Sequence, residues 1–323
     1  HILPAKGKIE VSLRAYLKFI SDRSLDPRTG FEAAERIGRE LIPFEQDEHL
    51  KSAKAMVVIP DGILHYLPFE AIRVRDEVRS SYLVEGLTIS YCPSASAFAA
   101  LEGLMDRPKP AKDVLAIGGS DYRRWNARAD GSPLSTRDDP EAAVLDEDLE
   151  LSPLPFSRRE VQDIAKFYPA QAVDILTGAS ANEGNVKNWP LADYRILHFA
   201  CHGFLNERRP FRSALALTLT DVPEDDGLLQ MREIYGLTVK ADLVVLSACQ
   251  TGRGRFERSE GPMALARPFF FAGTRSVIAS LWSVNDKATL VFMREFYGHL
   301  TEGRTAAEAL RRAKGKMLSS KWA

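Results

Sequence analysis

The chain of 323 residues is 45% hydrophobic, so it can bury a substantial core, which excludes disorder over most of its length. Its 43 basic and 44 acidic side chains nearly cancel, which leaves no global charge to attract nucleic acid or an anionic membrane. The three cysteines are too scattered for a disulfide framework, and no apolar run approaches the roughly 18 residues that a membrane helix needs. We therefore expect a cytoplasmic protein without a direct nucleic-acid or membrane partner.

The first 110 residues are predicted to form an N-terminal part of their own. Apolar residues recur at three- and four-residue spacings over residues 11–20 and 33–41, which predicts two amphipathic helices. The Asp-Pro-Arg-Thr-Gly sequence at 26–30 predicts a turn between them.

A hairpin-like pair of strands is predicted next along the chain. The apolar run at 55–59 ends in Pro-Asp-Gly, which predicts a strand and a tight turn, and residues 64–72 continue as a second short strand and the start of a helix. Residues 87–91 are again rich in β-forming residues, and residues 94–104 have a helical pattern.

Residues 111–323 are predicted to form the main domain, in which strands and helices alternate. Strands are predicted at 113–119, 172–176, 194–200, 242–248 and 276–281, and helices at 157–167, 182–189, 263–271, 288–300 and 306–317. This alternation predicts an α/β fold, a mostly parallel sheet with helices on both faces. In such sheets the chemistry gathers at the carboxyl ends of the strands.

Three local features of the main domain are also predicted. A polar stretch at 221–227 indicates a hairpin between two short strands. Residues 122–155 are polar and acidic, which predicts a long mobile loop, either an activation segment or a solvated insertion. Ser157 and Glu160 have the spacing of a capping box at the start of a helix.

Reactive side chains follow two of the predicted buried strands. The strand at 194–200 runs into Cys201-His202-Gly203, and the strand at 242–248 runs into Cys249. If these strands are parallel neighbours, His202 and Cys249 emerge at the same edge of the sheet. An imidazole with a near-neutral pKa can take the proton of a thiol, and the resulting thiolate is a strong nucleophile. We therefore predict a Cys-His catalytic pair, with the backbone N–H groups of Gly203 and Cys249 stabilising an oxyanion.

Two sequence blocks carry a resemblance to a known family. The block LHFACHG at 197–203 and the block LSACQTG at 246–252 resemble the paired signatures of CHAT-domain cysteine proteases, relatives of caspases and separase. Further blocks are similar to the family's in the family's order, at 58–62, 67–70, 91–96, 260–261, 272–275 and 280–286. The resemblance covers essentially the whole chain.

The resemblance implies a caspase-like α/β fold and a cysteine endopeptidase that needs no metal or other cofactor. It implies that His202 is the catalytic histidine and Cys249 the nucleophile, while His198 has a structural role and Cys201 is a core thiol. It also implies regulation by a partner or a fused helical-repeat domain, in signalling or bacterial defence. A gasdermin-like pore-forming protein is one implied substrate.

The stretch at 280–286 resembles the part of separase that contributes an acidic residue to the pocket for a basic P1 side chain. By this resemblance Asp286 and Trp282 are candidate substrate-binding residues. The alternatives are a helix N-cap or another structural role for Asp286 and a core position for Trp282. The Arg-rich residues 253–258, close after the nucleophile, are a candidate for ordering or cleavage on activation, or a solvated loop.

Two departures from the family pattern concern the ends of the chain. The family usually continues with an aromatic-rich strand that contains a Trp-Ala pair, so this strand is either truncated here or begins at Trp322-Ala323. The chain also starts at His1 rather than Met and contains no helical-repeat segment, so we expect it to be a fragment of a longer protein.

Two other functions fit parts of the sequence. A catalytically silent scaffold could bind partners through the same fold, but a scaffold has no physical need for His202, Gly203 and Cys249 together. A metal site at His198, Cys201 and His202 is disfavoured because side chains alternate along a strand, so the thiol faces away from the two imidazoles. The sequence therefore favours a protease.

Overall fold

The structure is a computed structural model, and it describes residues 6–21, 27–42, 47–75, 80–103, 107–128, 151–206, 210–222, 224–250, 263–281 and 284–320. By their contacts these residues group into two compact units, one within 1–102 and 302–323 and the other within 103–257 and 261–301. The division of the chain at residue 110 stays a prediction. None of the described helices combines the length and the hydropathy that crossing a membrane requires.

The secondary structure alternates along much of the chain. The helices are α1 (Lys6–Ser21), α2 (Pro27–Leu41), α3 (Glu48–Ser52), α4 (Leu83–Gly86), α5 (Ala95–Glu102), α6 (Arg123–Arg128), α7 (Ser157–Ala165), α8 (Glu183–Asn188), α9 (Met231–Ile234), α10 (Met263–Phe271), α11 (Asp286–Thr301) and α12 (Ala306–Leu318). The strands are β1 (Ala55–Val58), β2 (Arg73–Arg75), β3 (Ser80–Tyr82), β4 (Thr88–Tyr91), β5 (Lys112–Gly118), β6 (Val173–Thr177), β7 (Tyr194–Ala200), β8 (His202–Phe204), β9 (Ala214–Ala216), β10 (Leu228–Gln230), β11 (Leu243–Leu246), β12 (Cys249–Gln250) and β13 (Ser276–Ala279).

The two predicted N-terminal helices are present as α1 and α2 and are longer than their apolar patterns. The predicted turn at 26–30 is wrong from Pro27 onward, because α2 begins there. Proline suits the first position of a helix, where its missing N–H would have no partner. Gly30 lies against the ring of Phe19, where a larger side chain would clash, so the two helices approach closely.

The strands of the N-terminal unit differ from the predicted pairing. Strand β1 pairs in parallel with β4, and the second strand predicted within 64–72 is wrong, because 3-10 turns occupy Gly62–Tyr66 and Phe69–Ala71. The antiparallel pair of this unit is β2 with β3, further along the chain.

The last helix, α12, completes the N-terminal unit. It packs on β4 and α4, and its Ala309 and Ala313 are fully buried. The Lys314 ammonium lies 2.6 Å from a carboxylate oxygen of Glu70, and the Tyr91 hydroxyl donates a hydrogen bond to the other oxygen. These three side chains link α12 to residues of the N-terminal part of the chain.

The second unit contains the predicted parallel sheet. Its strand order is β13-β11-β7-β5-β6, and every neighbouring pair is parallel. Helix α7 packs on one face, where its Glu160 meets His198 of β7. On the other face Phe199 packs with Phe269 of α10. The α/β fold with helices on both faces is confirmed, and it is consistent with a caspase-like fold.

A second, smaller sheet continues from the carboxyl edge of the first. Its order is β10-β9-β8-β12, and the predicted hairpin is present as the antiparallel pair β9 and β10. The predicted capping box is wrong, because Ser157 is the first residue of α7 and bonds Gly119 N–H and Leu154 C=O through its hydroxyl. Glu160 is then free of the cap and lies against His198.

The prediction of one long loop over 122–155 is wrong at its start, whereas at its end residues 151–155 form neither helix nor strand. The side chains of Tyr122 and Trp125 are buried at the start of the segment, where α6 forms. At its other end Leu151 is fully buried. Residues 129–150 lie outside the described residues.

Candidate active site

The two strands that carry the predicted catalytic residues remain neighbours past the end of the main sheet. Strand β7 ends at Ala200 and the chain resumes as β8 at His202, while β11 ends at Leu246 and resumes as β12 at Cys249. In the main sheet Leu246 lies opposite Phe199, and in the smaller sheet Cys249 lies opposite His202. The offset in residue number is the same for both pairs, so the strands keep one register across the break.

This register brings the backbones of His202 and Cys249 side by side. Neighbouring strands lie about 4.8 Å apart, so the two Cα atoms are separated by about one strand spacing. Gly203 occupies the next position of β8, opposite Gln250 on one side and Leu215 on the other. The predicted meeting at one sheet edge is present in the backbone, while the chemical roles of these residues remain predictions.

One nitrogen of the His202 ring is held by the backbone of Ser152. The side chain is only 3% exposed, and its Nε2 lies 2.7 Å from the Ser152 carbonyl oxygen. Because a carbonyl oxygen can only accept a hydrogen bond, the proton of the neutral imidazole belongs on Nε2. The buried Nδ1 has no hydrogen-bond partner within the described part of the chain, so it presents a lone pair.

The protonation of His202 is set by its surroundings. Burial lowers the pKa of His202 below its ordinary value, and the hydrogen bond to the Ser152 carbonyl partly offsets this effect. The ring is therefore neutral at pH 7, with Nε2 donating and Nδ1 ready to accept a proton. This is the state that a general base requires.

Tyr122 is a neighbour of the site that the sequence did not indicate. Its ring lies 4.8 Å from the His202 ring, centroid to centroid. Its hydroxyl accepts a hydrogen bond from the His202 N–H at 3.2 Å and donates one to the Ala216 carbonyl at 3.2 Å. Tyr122 thus fixes both the backbone and one face of the imidazole.

A short segment, residues 151–156, holds His202 from the other side, and we call it the strap. It begins at the fully buried Leu151, and its Ser152 carbonyl meets His202. Near its end the Leu154 carbonyl accepts from both the N–H and the hydroxyl of Ser157. A contact made by a backbone carbonyl has no side-chain signature, which is why the sequence did not reveal it.

Asp286 is tied to the end of the strap. It is the first residue of α11, and its Oδ2 accepts a hydrogen bond from the Phe156 N–H at 2.8 Å. Burial and the charge of Glu160 raise the pKa of Asp286, whereas the Phe156 N–H lowers it. Asp286 is not the N-cap of α11. That role belongs to Asn285, whose side chain accepts a hydrogen bond from the Ala288 N–H.

The other two predicted residues of the first block lie in the core. Both ring nitrogens of His198 are engaged, Nε2 with Glu160 at 2.9 Å and Nδ1 with the Tyr297 hydroxyl at 3.1 Å. Cys201 is fully buried in the main hydrophobic cluster. Within the described residues no three His, Cys, Asp or Glu side chains are grouped to hold a metal ion.

Comparison with known families identifies the domain. The family model of the CHAT domain matches residues 32–323, which is most of the chain. The chain belongs to the CHAT domain family. This membership agrees with the family that the sequence blocks resemble, and a caspase-like cysteine protease affiliation is consistent with it.

The CHAT domain also matches part of two much longer proteins. Tetratricopeptide repeat protein 28 of Mus musculus is 36% identical over 99 residues, and the human protein of that name is 34% identical over 99 residues. Each match covers 31% of this chain but 4% of the relative, so the chain spans a small fraction of the length of its curated relatives.

Two predictions for this CHAT domain lie outside the described residues. They are the substrate contact of Trp282 and the activation role of residues 253–258. Both stay predictions.

Proposed function

We propose that this CHAT domain is a cysteine endopeptidase in which Cys249 is the nucleophile and His202 the general base. The observation that carries the proposal is the register of β8 and β12, which sets Cys249 opposite a histidine whose Nδ1 offers an unused lone pair. A thiol beside a neutral, buried imidazole can lose its proton at neutral pH.

The first half of the reaction forms a thioester. His202 Nδ1 takes the proton of the Cys249 thiol, and the sulfur attacks the carbonyl carbon of the scissile peptide bond. The imidazolium that forms is stabilised by its Nε2–H, which donates to the Ser152 carbonyl. It then gives its Nδ1 proton to the leaving amine as the carbon–nitrogen bond breaks.

The second half regenerates the enzyme. His202 takes a proton from a water molecule, which attacks the thioester carbonyl, and the acid product leaves with Cys249 restored. In both halves the carbonyl oxygen becomes an oxyanion, for which we propose the N–H groups of Gly203 and Cys249 as donors. Removing one such donor typically costs about 10²-fold or more in kcat.

The substrate side of the site is proposed from the family resemblance. Trp282 would contact the P1 side chain. For Asp286 two roles stand as alternatives, a P1 carboxylate that would favour Arg or Lys, or a structural role through Phe156, and the Asp286 variants described below distinguish them. One oxygen of Asp286 already accepts from Phe156, so Oδ1 would make the P1 contact.

The regulation and the setting are proposed on the same basis. We propose a cytoplasmic protease that a partner or a fused helical-repeat domain activates, in signalling or bacterial defence, with a gasdermin-like pore-forming protein as one class of substrate. The two relatives are named for tetratricopeptide repeats, which supports a link between this kind of domain and helical repeats.

Selective labelling of Cys249 tests the proposed chemistry. An electrophilic peptide probe should label Cys249 in the wild-type protein, and Cys249→Ala and His202→Ala should each abolish labelling and cleavage of a peptide library. The matched controls are Cys92→Ala and Cys201→Ala, which remove buried thiols and should leave both signals in place.

Two results would count against the proposal. Peptide cleavage that persists in Cys249→Ala would exclude this cysteine as the nucleophile. If the activated full-length wild-type protein neither cleaves peptides nor labels selectively at Cys249, it would instead be a pseudoprotease scaffold.

A further inference from the structure

We propose that Asp286 is a positioning residue of the protease reaction: it holds the end of the strap through the Phe156 amide and thereby fixes the Ser152 carbonyl against His202. This inference rests on the proposed function, because it assigns Asp286 a part in keeping the general base in place. It differs from a role in recognising the P1 side chain.

The contacts form a short chain from α11 to the imidazole. The carboxylate of Asp286 accepts from the Phe156 N–H at 2.8 Å, and four residues earlier the Ser152 carbonyl accepts from His202 Nε2 at 2.7 Å. Between them, Leu154 is tied to Ser157 at the start of α7. Each link is a hydrogen bond with good geometry.

The backbone of the strap is stiff enough for a displacement of Phe156 to move Ser152. Pro153 and Pro155 each have a fixed φ angle, and each restricts the residue before it to extended conformations. Four of the six strap residues are therefore confined in their backbone angles. A shift at Phe156 reaches Ser152 because few bonds in between can rotate to absorb it.

The surroundings of Asp286 disfavour its negatively charged form. It is half-buried, and the negative charge of Glu160 on α7 adds to the penalty of burial. Asn285 already caps α11, so the helix does not need Asp286 for this purpose. The Phe156 N–H, which precedes the first turn of α7, has no helical partner and is satisfied by this carboxylate.

Loss of the Asp286 contact should act on His202 in two ways. The Ser152 carbonyl would no longer hold the ring in one orientation, so Nδ1 would meet the thiol less often. The imidazolium would also lose its acceptor, which makes the imidazolium–thiolate pair less stable and raises the pKa of the Cys249 thiol. A misplacement of about 1 Å can cost about 10²-fold in rate.

The experiment compares Asp286→Asn with Asp286→Ala in the purified, activated full-length protein. Asparagine keeps an oxygen that can accept from Phe156 but has no charge, whereas alanine has neither. We measure kcat and KM on matched peptides with Arg or Leu at P1. We also measure the rate at which iodoacetamide alkylates Cys249 from pH 5 to 9, with the modified peptide identified by mass spectrometry. Tyr122 and Glu160, the titratable neighbours of His202 and Asp286, are unchanged in both variants.

A positioning role predicts that the asparagine variant stays within about threefold of wild type on both peptides. The alanine variant should lose about 10- to 100-fold in kcat on both, and its alkylation profile should move to higher pH. If the alanine variant does not fold, the asparagine variant decides alone: a kcat near that of wild type supports the inference, and a loss of tenfold or more overturns it.

Two other outcomes overturn the inference while leaving the protease proposal intact. The asparagine variant could lose activity on the Arg peptide alone, mainly in KM, which would make Asp286 a P1 carboxylate. A folded alanine variant could also match wild type in kcat and alkylation. In contrast, wild-type protein without cleavage and without selective alkylation at Cys249 would remove the proposed function itself.

Discussion

At the scale of single residues, the contribution of the Tyr122 hydroxyl to stability can be measured by removing the hydroxyl alone. It bonds two buried backbone groups, the N–H of His202 and the carbonyl of Ala216, and so joins β8, a strand of the candidate site, to its surroundings. Tyr122→Phe keeps the ring against His202 but leaves both groups without this partner. Buried polar groups that lose a partner cost about 1–3 kcal/mol, so we expect a loss of this size in urea unfolding.

Tyr168→Phe is the matched control for this change. The Tyr168 hydroxyl is buried, and within the described part of the chain it has no hydrogen-bond partner. Its removal should leave the free energy of unfolding within about 0.5 kcal/mol of wild type. Equal losses of unfolding free energy in the two variants would show that the loss comes from removing a buried hydroxyl and not from removing its hydrogen bonds.

The sequence could predict that His202 and Cys249 meet at one edge of the sheet, but not which groups hold His202. His202 and Cys249 stand out because each follows a buried strand and precedes or lies near a glycine. The Ser152 carbonyl is invisible in a sequence, since every residue has one. The capping box at Ser157 failed for a related reason: its Glu160 has a buried partner, His198, that lies 38 residues away.

At the scale of elements, the packing of α2 on β2 depends on one glycine. A Cβ at Gly38 would lie 2.2 Å from the carbonyl oxygen of Arg73, which is backbone and cannot move aside without shifting the strand. Gly38→Ala should therefore destabilise the N-terminal unit by about 1–3 kcal/mol, although alanine is the better helix former. Thermal unfolding followed by circular dichroism measures the change.

Gly315→Ala in α12 gives the opposite expectation for the same substitution. No atom lies within 4 Å of a Cβ at Gly315, so only helix propensity changes, and we expect a gain of about 0.5–1 kcal/mol. A Gly38→Ala protein that is as stable as wild type would mean that α2 and β2 can separate without cost.

The buried parallel strands were predicted well and the N-terminal strands were not, for a physical reason. Strands β5, β7 and β11 are mostly buried on both faces. Strand β11 is apolar throughout, β5 is apolar from Val114 to Ile117, and the apolar residues of β7 are interrupted by Arg195 and His198. The region after β1 contains prolines and short apolar stretches that suit 3-10 turns as well as strands. Pairing partners there, such as β1 with β4, are chosen by packing that no local pattern records.

At the scale of the whole molecule, the last helix, α12, packs within the N-terminal unit and not within the unit that precedes it in sequence. The chain leaves the N-terminal unit after residue 102, forms the sheet that carries the candidate site, and returns as α12. The sequence predicts two consecutive segments, divided at residue 110. An amphipathic pattern shows that one face of α12 is buried, but it does not show which part of the chain covers that face. The contacts of α12 with β4 and α4 are long-range and could not be predicted from periodicity.

Lys314 in α12 provides a test of this packing through its ion pair with Glu70. Burial alone would raise the pKa of Glu70, but the Lys314 ammonium and the Tyr91 hydroxyl hold it below its ordinary value. A carboxyl with a lowered pKa stabilises the fold above its unfolded pKa, and this contribution is lost as pH falls through the folded pKa. Lys314→Met leaves a largely buried carboxylate without its cation, and for this partly exposed pair we expect a cost of about 1–3 kcal/mol at pH 7.

The pH dependence of that loss separates the ion pair from simple packing. Without Lys314, burial is opposed by the Tyr91 hydroxyl and a backbone hydrogen bond but no longer by an ammonium, so the pKa of Glu70 rises above its wild-type value. The carboxyl then takes up a proton at a higher pH than in wild type, which removes the penalty. Urea unfolding at several pH values should therefore show a gap between wild type and Lys314→Met that is largest at pH 7 and narrows toward pH 4. Lys316→Met, which changes an exposed lysine of the same helix, should show no such gap. A gap that stays constant with pH would mean that α12 is held to the N-terminal unit by its apolar contacts and not by this pair.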